Sequence, residues 1–385
     1  MKRKIAIFGA GEWGRIAYYY YRESGEIACY IDNDASIWNT TVNGLQVCAP
    51  EILKEHKYTV IVANKRYEDE IKRQLLQDYD IREVVLFRID ERMQELSGQK
   101  ESRFEKEELI VAFSHGLGNQ MFQYAFYRNL LQRGRNVKAD LSAYIKPGMM
   151  SFELCMVFPG IRLERCDPNK KERYLQEGHD RVYIEAPPRG QVKATFKPEL
   201  LEMESGYIEG FHCSFRYPEM IRQELWEDFK FPYLQDRELC EWKKRLEEEE
   251  TVAVHIRRGD FLAPKYCREI GNICTEEYYK KAIDYVRDCR PNARFCFFSN
   301  DVDWVKHNIK VEDAVYFERN MFAKYSDWYD MFLMSVCRHN IIPNSTFGWW
   351  SAWLNRNPDK IVVAPKRWRN RWEAQDWCPE EWVRF

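Results

Sequence analysis

The stretch Thr251-Val-Ala-Val-His255-Ile-Arg257-Arg258-Gly-Asp260 reads as a short buried strand that runs straight into two arginines and an aspartate. In an open α/β sheet, ligands gather at the carboxyl ends of the strands, so these charges mark the working edge. Two adjacent arginines cannot both point into the sheet, and at least one must reach a cleft. A guanidinium fork stays charged and matches phosphate oxygens two at a time. Pairing of Arg258 with Asp260 would shape the turn and account for one arginine but not both, which singles out Arg257 as an anion ligand. Downstream the strand–helix rhythm continues. Thr275 is placed to cap a helix through Asp288, RFCFFS (294–299) reads as a strand, and Ser326 as the cap of a helix reaching Cys337. NIIP (340–343) and KIVVAP (360–365) read as the last strands.

Three further turns lie between a strand and a helix or at a strand end. Ser114-His115-Gly116-Leu-Gly118-Asn119-Gln120 follows LIVAF (109–113) and opens an apolar helix from Asn119 to Gln132. Its glycines free backbone N–H groups, and its side-chain amides suit sugars as well as phosphates. The positions that follow (Met121, Phe122, Ala125, Phe126 and Leu130) read as plain core. Asn344-Ser345-Thr346-Phe347-Gly348-Trp349-Trp350 offers hydroxyls and free N–H groups at another helix start, a second anion site. Trp349, Trp350 and Trp353 fit either a core or a stacking platform. Phe298-Ser299-Asn300-Asp301 places polar groups on the same sheet edge as Arg257.

The first ninety residues alternate too: KIAIF (4–8), IACYI (27–31), TVIVA (59–63) and EVVLF (83–87) are strand-like, with a helix expected from Glu12 to Glu23. Gly9-Ala-Gly11-Glu-Trp-Gly14 is a G-x-G-x-x-G between strand and helix, and Asp32, at the end of the next strand, is placed to meet a ribose hydroxyl. The competing reading is that these glycines only pack a Rossmann-like helix on its sheet. Residues 90–109 carry eleven charged side chains in twenty and read as a linker or polar helix, whereas 145–245 is poorly patterned. We expect three α/β units, at 1–100, 109–245 and 250–385, the last two facing each other across a cleft.

At roughly 150 residues per domain, 385 residues give two or three domains. A balance of 59 basic against 61 acidic residues argues against tracking a nucleic-acid backbone. The twelve cysteines form no Cys-x-x-Cys pair, so free thiols in a reducing cytoplasm are expected rather than zinc sites or a disulfide framework. No apolar run is long enough for a spanning helix, and no secretion signal is read at the start.

HGLGNQMFQYAFYRNL, VAVHIRRGDFL, FFSND..W and SVCRHNIIPNSTFGWWSAWLN, with the tail PKRW, Pro379 and Trp382, stand in the order seen in bacterial α-1,2-fucosyltransferases of glycosyltransferase family 11. The resemblance covers roughly 109–385 and leaves the first hundred residues outside it. It implies a GT-B-like pair of α/β domains, here preceded by a small Rossmann-like domain. It also implies transfer of fucose from GDP-fucose to a β-galactoside of a surface glycan or its precursor. By the same resemblance, Arg257 contacts the diphosphate while His255, Arg258 and Asp260 shape the loop. Ser345, Thr346 and Phe347 supply a second phosphate clamp, Asn119 approaches the fucose and pyrophosphate, and Asp301 lies toward the guanosine. His115 stands where the family usually has glycine. The expected route is inverting and metal-free, on the reading that the chain offers no Asp-x-Asp motif for a metal bridge; His115 and Asp260 are the candidate bases. No cofactor and no nucleic acid are expected, and the enzyme would work in the cytoplasm, peripherally at the inner face of the membrane. Two other classes compete: an NAD(P)-linked oxidoreductase working from the GAGEWG segment, and a non-catalytic sugar-nucleotide module.

Overall fold

The computed structural model describes residues 4–11, 14, 17–18, 21, 25–64, 67–87, 108–144, 151–167, 170–171, 174, 182–185, 192–193, 195–232, 237–322, 325–370, 373–374 and 376–385. The expected helix from Glu12 to Glu23 and the linker at 90–109 lie for the most part outside the described residues. The chain divides into two compact units, residues 1–104 and the bulk of 105–385.

In the first unit β1 (Lys4–Phe8), β2 (Glu26–Ile31), β3 (Thr41–Val42), β4 (Leu45–Cys48), β5 (Thr59–Val62) and β6 (Val85–Leu86) form one sheet in the order β3-β4-β2-β1-β5-β6. All pairings are parallel except the β3–β4 hairpin. A parallel sheet must be covered on both faces. Alternate residues of β1 do this: Ile5 and Ile7 join one apolar cluster, while Ala6 and Phe8 join the other. Helix α1 (Glu68–Tyr79) contributes Ile71 and Leu75 to the second cluster.

The second unit holds two parallel sheets. One is ordered β8-β7-β11-β9, from β7 (Leu109–Ala112), β8 (Val137–Asp140), β9 (Val182–Ile184) and β11 (Gly206–Glu209). The other is ordered β14-β13-β12-β15-β16-β18, from β12 (Thr251–Ile256), β13 (Arg294–Ser299), β14 (Val315–Phe317), β15 (His339–Ile341), β16 (Val362–Ala364) and β18 (Val383–Arg384). β10 (Val192–Lys193) and β17 (Glu373–Ala374) make a small parallel pair. The helices that matter for the site are α2 (Leu117–Gln132), α3 (Glu276–Cys289), α4 (Val302–Asn308), α5 (Trp328–Val336) and α6 (Thr346–Leu354). The two sheets meet through α2 and α6: Phe122 packs 4.6 Å from Trp349 and 4.9 Å from Trp350 between ring centroids. Trp349, Trp350 and Trp353 are buried, so the tryptophans of α6 are core. Rings of that size bury roughly 150–250 Å2 each, enough to dominate the packing between the sheets.

Two local expectations need correcting. Thr275 does cap α3, its hydroxyl accepting from the N–H of Tyr278, but Ser326 does not cap α5. The residue directly before α5 is Asp327, which makes no side-chain cap hydrogen bond, and Ser326 contributes its carbonyl, to Tyr329 N–H. KIVVAP is not the last strand either, since β17 and β18 follow it. Within the poorly patterned middle, Gly206–Glu209 is an interior strand between β7 and β9.

Candidate active site

β7 leads through Ser114, His115 and Gly116 into α2, whose first turn has no side-chain cap. The loop is held from beneath by two buried amides. Gln120 donates from Nε2 to the His115 carbonyl (2.8 Å), and its Oε1 accepts from the N–H groups of Glu153 and Leu154 (2.9 Å each). Gln123 accepts from Ser114 N–H (3.0 Å) and donates to the Gly210 carbonyl (3.0 Å). Gln120 therefore braces the loop, whereas the Asn119 amide, one residue earlier and half-buried, has no hydrogen-bond partner among the described residues.

The start of α6 lies directly against this turn. A Cβ on Gly118 would sit 2.6 Å from the Thr346 carbonyl carbon, from Thr346 Oγ1 and from the Phe347 nitrogen, so only glycine permits the contact. Trp350 Nε1 reaches back to the Gly118 carbonyl at 2.9 Å. Ser345, the residue before α6, makes no side-chain cap hydrogen bond. Asn344 is engaged elsewhere, donating to the carbonyls of Ile270 and Trp368. Two helix N-termini without side-chain caps, of 16 and 9 residues, thus meet at Gly118. Each carries partial positive charge, which suits an anion.

β12 pairs with β15, so Arg257 leaves the sheet beside the strand that feeds α6. Its guanidinium lies 6.0 Å from the Phe261 ring centroid. Arg258 is bound differently: Nε donates to Asp301 Oδ2 (3.1 Å), its N–H donates to Asn300 Oδ1 (2.9 Å), and its guanidinium lies 3.6 Å from the Trp304 ring centroid. The Asp301 Oδ1 atom accepts from Trp304 N–H and caps α4. Arg258 thus pairs with Asp301; the side chain of Asp260, the partner weighed for it in the sequence, lies outside the described residues. His255 is buried, and a Cβ on Gly348 would fall 2.5 Å from its Nδ1, an atom with no partner among the described residues. Burial, reinforced by Arg257, pushes its imidazole down to about 3, so it is neutral at neutral pH.

The Asp-x-Asp spacing does occur, at 32–34, 78–80 and 301–303, so its supposed absence cannot support a metal-free route. At 301–303 the Asp301 carboxylate is occupied by Arg258 and the α4 cap. Among the described residues no three His, Cys, Asp or Glu side chains converge as a metal site, no helix is long and apolar enough to cross a membrane, and no disulfide joins the cysteines.

His115 has φ +67°, in the left-handed region where glycine is unstrained, which gives the glycine expected here a physical reason. Its Nδ1 lies 3.0 Å from Ser114 Oγ, and its ring is edge-on to Phe211 at 4.8 Å. Burial, then the Arg369 charge, lowers its pKa below the usual imidazole value. Phe211 and its neighbours Glu185 and His212 were not singled out from sequence; the signal was the Gly210-Phe-His string after an unrecognised strand.

In the first unit, Gly9 has φ +109°, and a Cβ on Gly14 would fall 1.7 Å from the Gly9 carbonyl oxygen, so both glycines serve close packing. Gly11 has open space around it. Asp32 accepts from the N–H groups of Ala10 (2.7 Å) and Asp34 (3.0 Å), tying the glycine turn to the end of β2.

Comparison with known proteins gives these motifs a lineage. The model for glycosyl transferase family 11 matches residues 202–385. The O-antigen biosynthesis glycosyltransferase WbnK of Escherichia coli is 32% identical over 295 residues, covering 68% of this chain and 94% of that protein. The chain belongs to glycosyltransferase family 11. This glycosyltransferase is also 31% identical over 298 residues to an alpha-1,2-colitosyltransferase of Escherichia coli, covering 72% of the chain and 98% of the relative. A galactoside alpha-(1,2)-fucosyltransferase 1 of Saimiri boliviensis boliviensis is 27% identical over 164 residues, 41% of this chain and 44% of that one. Residues 1–85 of the glycosyltransferase match a separate model, C2185-like, N-terminal.

Proposed function

We propose that this glycosyltransferase moves L-fucose from GDP-β-L-fucose to the 2-hydroxyl of a β-galactoside, with inversion and without a metal. The observation that carries this reading is the contact of two helix N-termini at Gly118, on the sheet edge where Arg257 emerges. The names of the relatives, which include an alpha-1,2-colitosyltransferase and galactoside alpha-(1,2)-fucosyltransferases, support the linkage.

In the reaction the acceptor oxygen bonds to the anomeric carbon as the bond to the β-phosphate oxygen breaks. The electron pair leaves with GDP, and the hydroxyl proton passes to a base. Charge therefore builds on the diphosphate, where fixed donors act best. Charge-assisted hydrogen bonds are worth roughly 1.5–3 kcal/mol each. Arg257, with the first-turn N–H groups near Ser345, Thr346 and Phe347, supplies two or three of these; Asn119 completes the cradle from α2. If they strengthen in the transition state, they lower the barrier by several powers of ten in rate. Asp301 and Arg258 form the edge offered to the guanosine, and buried His255 supports the loop. His115, neutral at neutral pH, is the base we assign, with Asp260 the other candidate. The first unit's Gly9, Gly11, Gly14 and Asp32 remain candidates for a separate nucleotide site.

Twelve thiols without a disulfide fit a reducing compartment. We place the enzyme in the cytoplasm, peripheral to the membrane that carries the glycan precursor. Arg257→Ala should lower transfer from GDP-fucose by roughly 10²–10³-fold with the thermal transition unchanged, by analogy with loss of one transition-state donor. Saturating EDTA should leave wild-type turnover unaltered. Near-native turnover of the variant would remove Arg257 from the mechanism, and a loss restored by Mg²⁺ or Mn²⁺ would remove the metal-free route.

A further inference from the structure

The edge of the first sheet in the catalytic unit differs in chemistry from the cationic cradle. β7, β11 and β9 lie side by side, with Ala112, Glu209 and Ile184 in register. The residues just beyond these ends, His115, Phe211 and Glu185, therefore emerge from three neighbouring strands at one edge. Strands are spaced about 4.8 Å apart, so the row spans roughly 10 Å, the width of one or two pyranose rings. Glu185 Oε2 accepts from the N–H of Phe211 at 2.6 Å. Gly210 makes room for it, since a Cβ there would lie 2.9 Å from the same carboxylate oxygen. The Phe211 ring in turn lies against His115. The turn that displays Phe211 is fixed on its far side by His212, whose backbone is left-handed (φ +51°) and whose ring stacks on Phe126 at 4.0 Å.

An ionised carboxylate at this edge repels a diphosphate but accepts hydrogen bonds from sugar hydroxyls. Its two oxygens offer about four acceptor directions, and the Phe211 N–H takes one. A half-buried aromatic face beside it matches the C–H face of a pyranose. We infer that Phe211, Glu185 and His115 form the subsite for the acceptor β-galactoside, with Phe211 as its stacking platform and Glu185 as acceptor for its hydroxyls. The inference rests on the proposed transfer reaction for the identity of the sugar, and it places the acceptor beside the base that His115 provides.

The test uses the full-length chain with GDP present and methyl β-galactoside as probe, read by saturation-transfer NMR and by acceptor and donor KM. Phe211→Ala and Glu185→Gln should each weaken acceptor binding and raise acceptor KM at least tenfold. The affinity for GDP and the donor KM should stay within twofold. Phe211→Trp, which keeps an aromatic face, should stay within about threefold of wild type. Glu185→Gln retains an oxygen for the Phe211 N–H, so its loss would report lost charge rather than a collapsed turn. An unchanged acceptor KM in both variants would overturn the subsite, as would GDP affinity falling in parallel. Failure of the wild type to bind the probe would also overturn it. Binding of the probe without transfer from GDP-fucose would instead fault the donor assignment alone, and the binding data on the variants would still decide the subsite.

Discussion

Arg258 donates to Asp301 and lies over the Trp304 ring, while its neighbour Arg257 leaves the same strand end 6.0 Å from the Phe261 ring centroid. That division of labour was half legible in the sequence. Adjacency required that the two side chains diverge, but the partner of Arg258 came from Asp301, 43 residues away, and no local pattern could name it. His115 was visible as a departure from glycine, and its left-handed backbone explains what the departure costs. His212 was not visible at all, because its role depends on burial against Phe126. Burial holds the His212 imidazole at about 3 in the folded chain, against roughly 6.5 when unfolded. Between those values the unfolded state binds the extra proton, so stability is full above about pH 6.5 and is lost as pH falls. The slope for one such group is about 1.4 kcal/mol per pH unit. His212→Asn keeps a residue that tolerates the left-handed backbone and removes the titration. The variant's melting temperature should therefore fall less than that of wild type between pH 7 and pH 5; equal falls would show that His212 is not held neutral.

At the scale of elements, the site depends on how closely two helix starts can approach. Both were legible, because a glycine-bearing turn between an apolar strand and an apolar helix is a local pattern. That they touch was not, since Gly118 and Phe347 lie far apart in sequence and meet only through the packing of α2 on α6. β11 was missed for a related reason. Gly206-Tyr-Ile-Glu209 is four residues long with little alternation, and it is a strand because β7 and β9 flank it. The two-residue strands β17 and β18 likewise owe their form to their neighbours. Gly118→Ala would drive a Cβ into the backbone of Thr346 and Phe347, a clash no rotamer change relieves. Overpacking of this kind costs about 1–3 kcal/mol. The substitution should lower the melting temperature and weaken GDP binding roughly tenfold, as calorimetry would show. Unchanged GDP affinity would mean that the paired helix starts do not hold the diphosphate.

For the whole molecule, near-zero net charge conceals a strong local asymmetry. One sheet edge of the second unit carries Arg257 and leads into α6, and the other leads into α2 and carries Glu185 and Phe211. Eight of the 13 tryptophans fall from Trp328 onward, and those of α6 are buried in the seam between the sheets of the second unit. The first unit has its own sheet and its own two apolar clusters, and Asp32 there accepts from the N–H of Ala10 in the glycine turn. Whether the chain transfers fucose to a galactoside is decided by incubating the full-length protein with GDP-fucose and a panel of galactose-terminated acceptors, then determining the linkage of the product. Release of GDP with formation of an α-1,2-linked fucoside on a β-galactoside is the expected result; fucose delivered in another linkage, or no transfer from GDP-fucose while another nucleotide sugar is consumed, would contradict it.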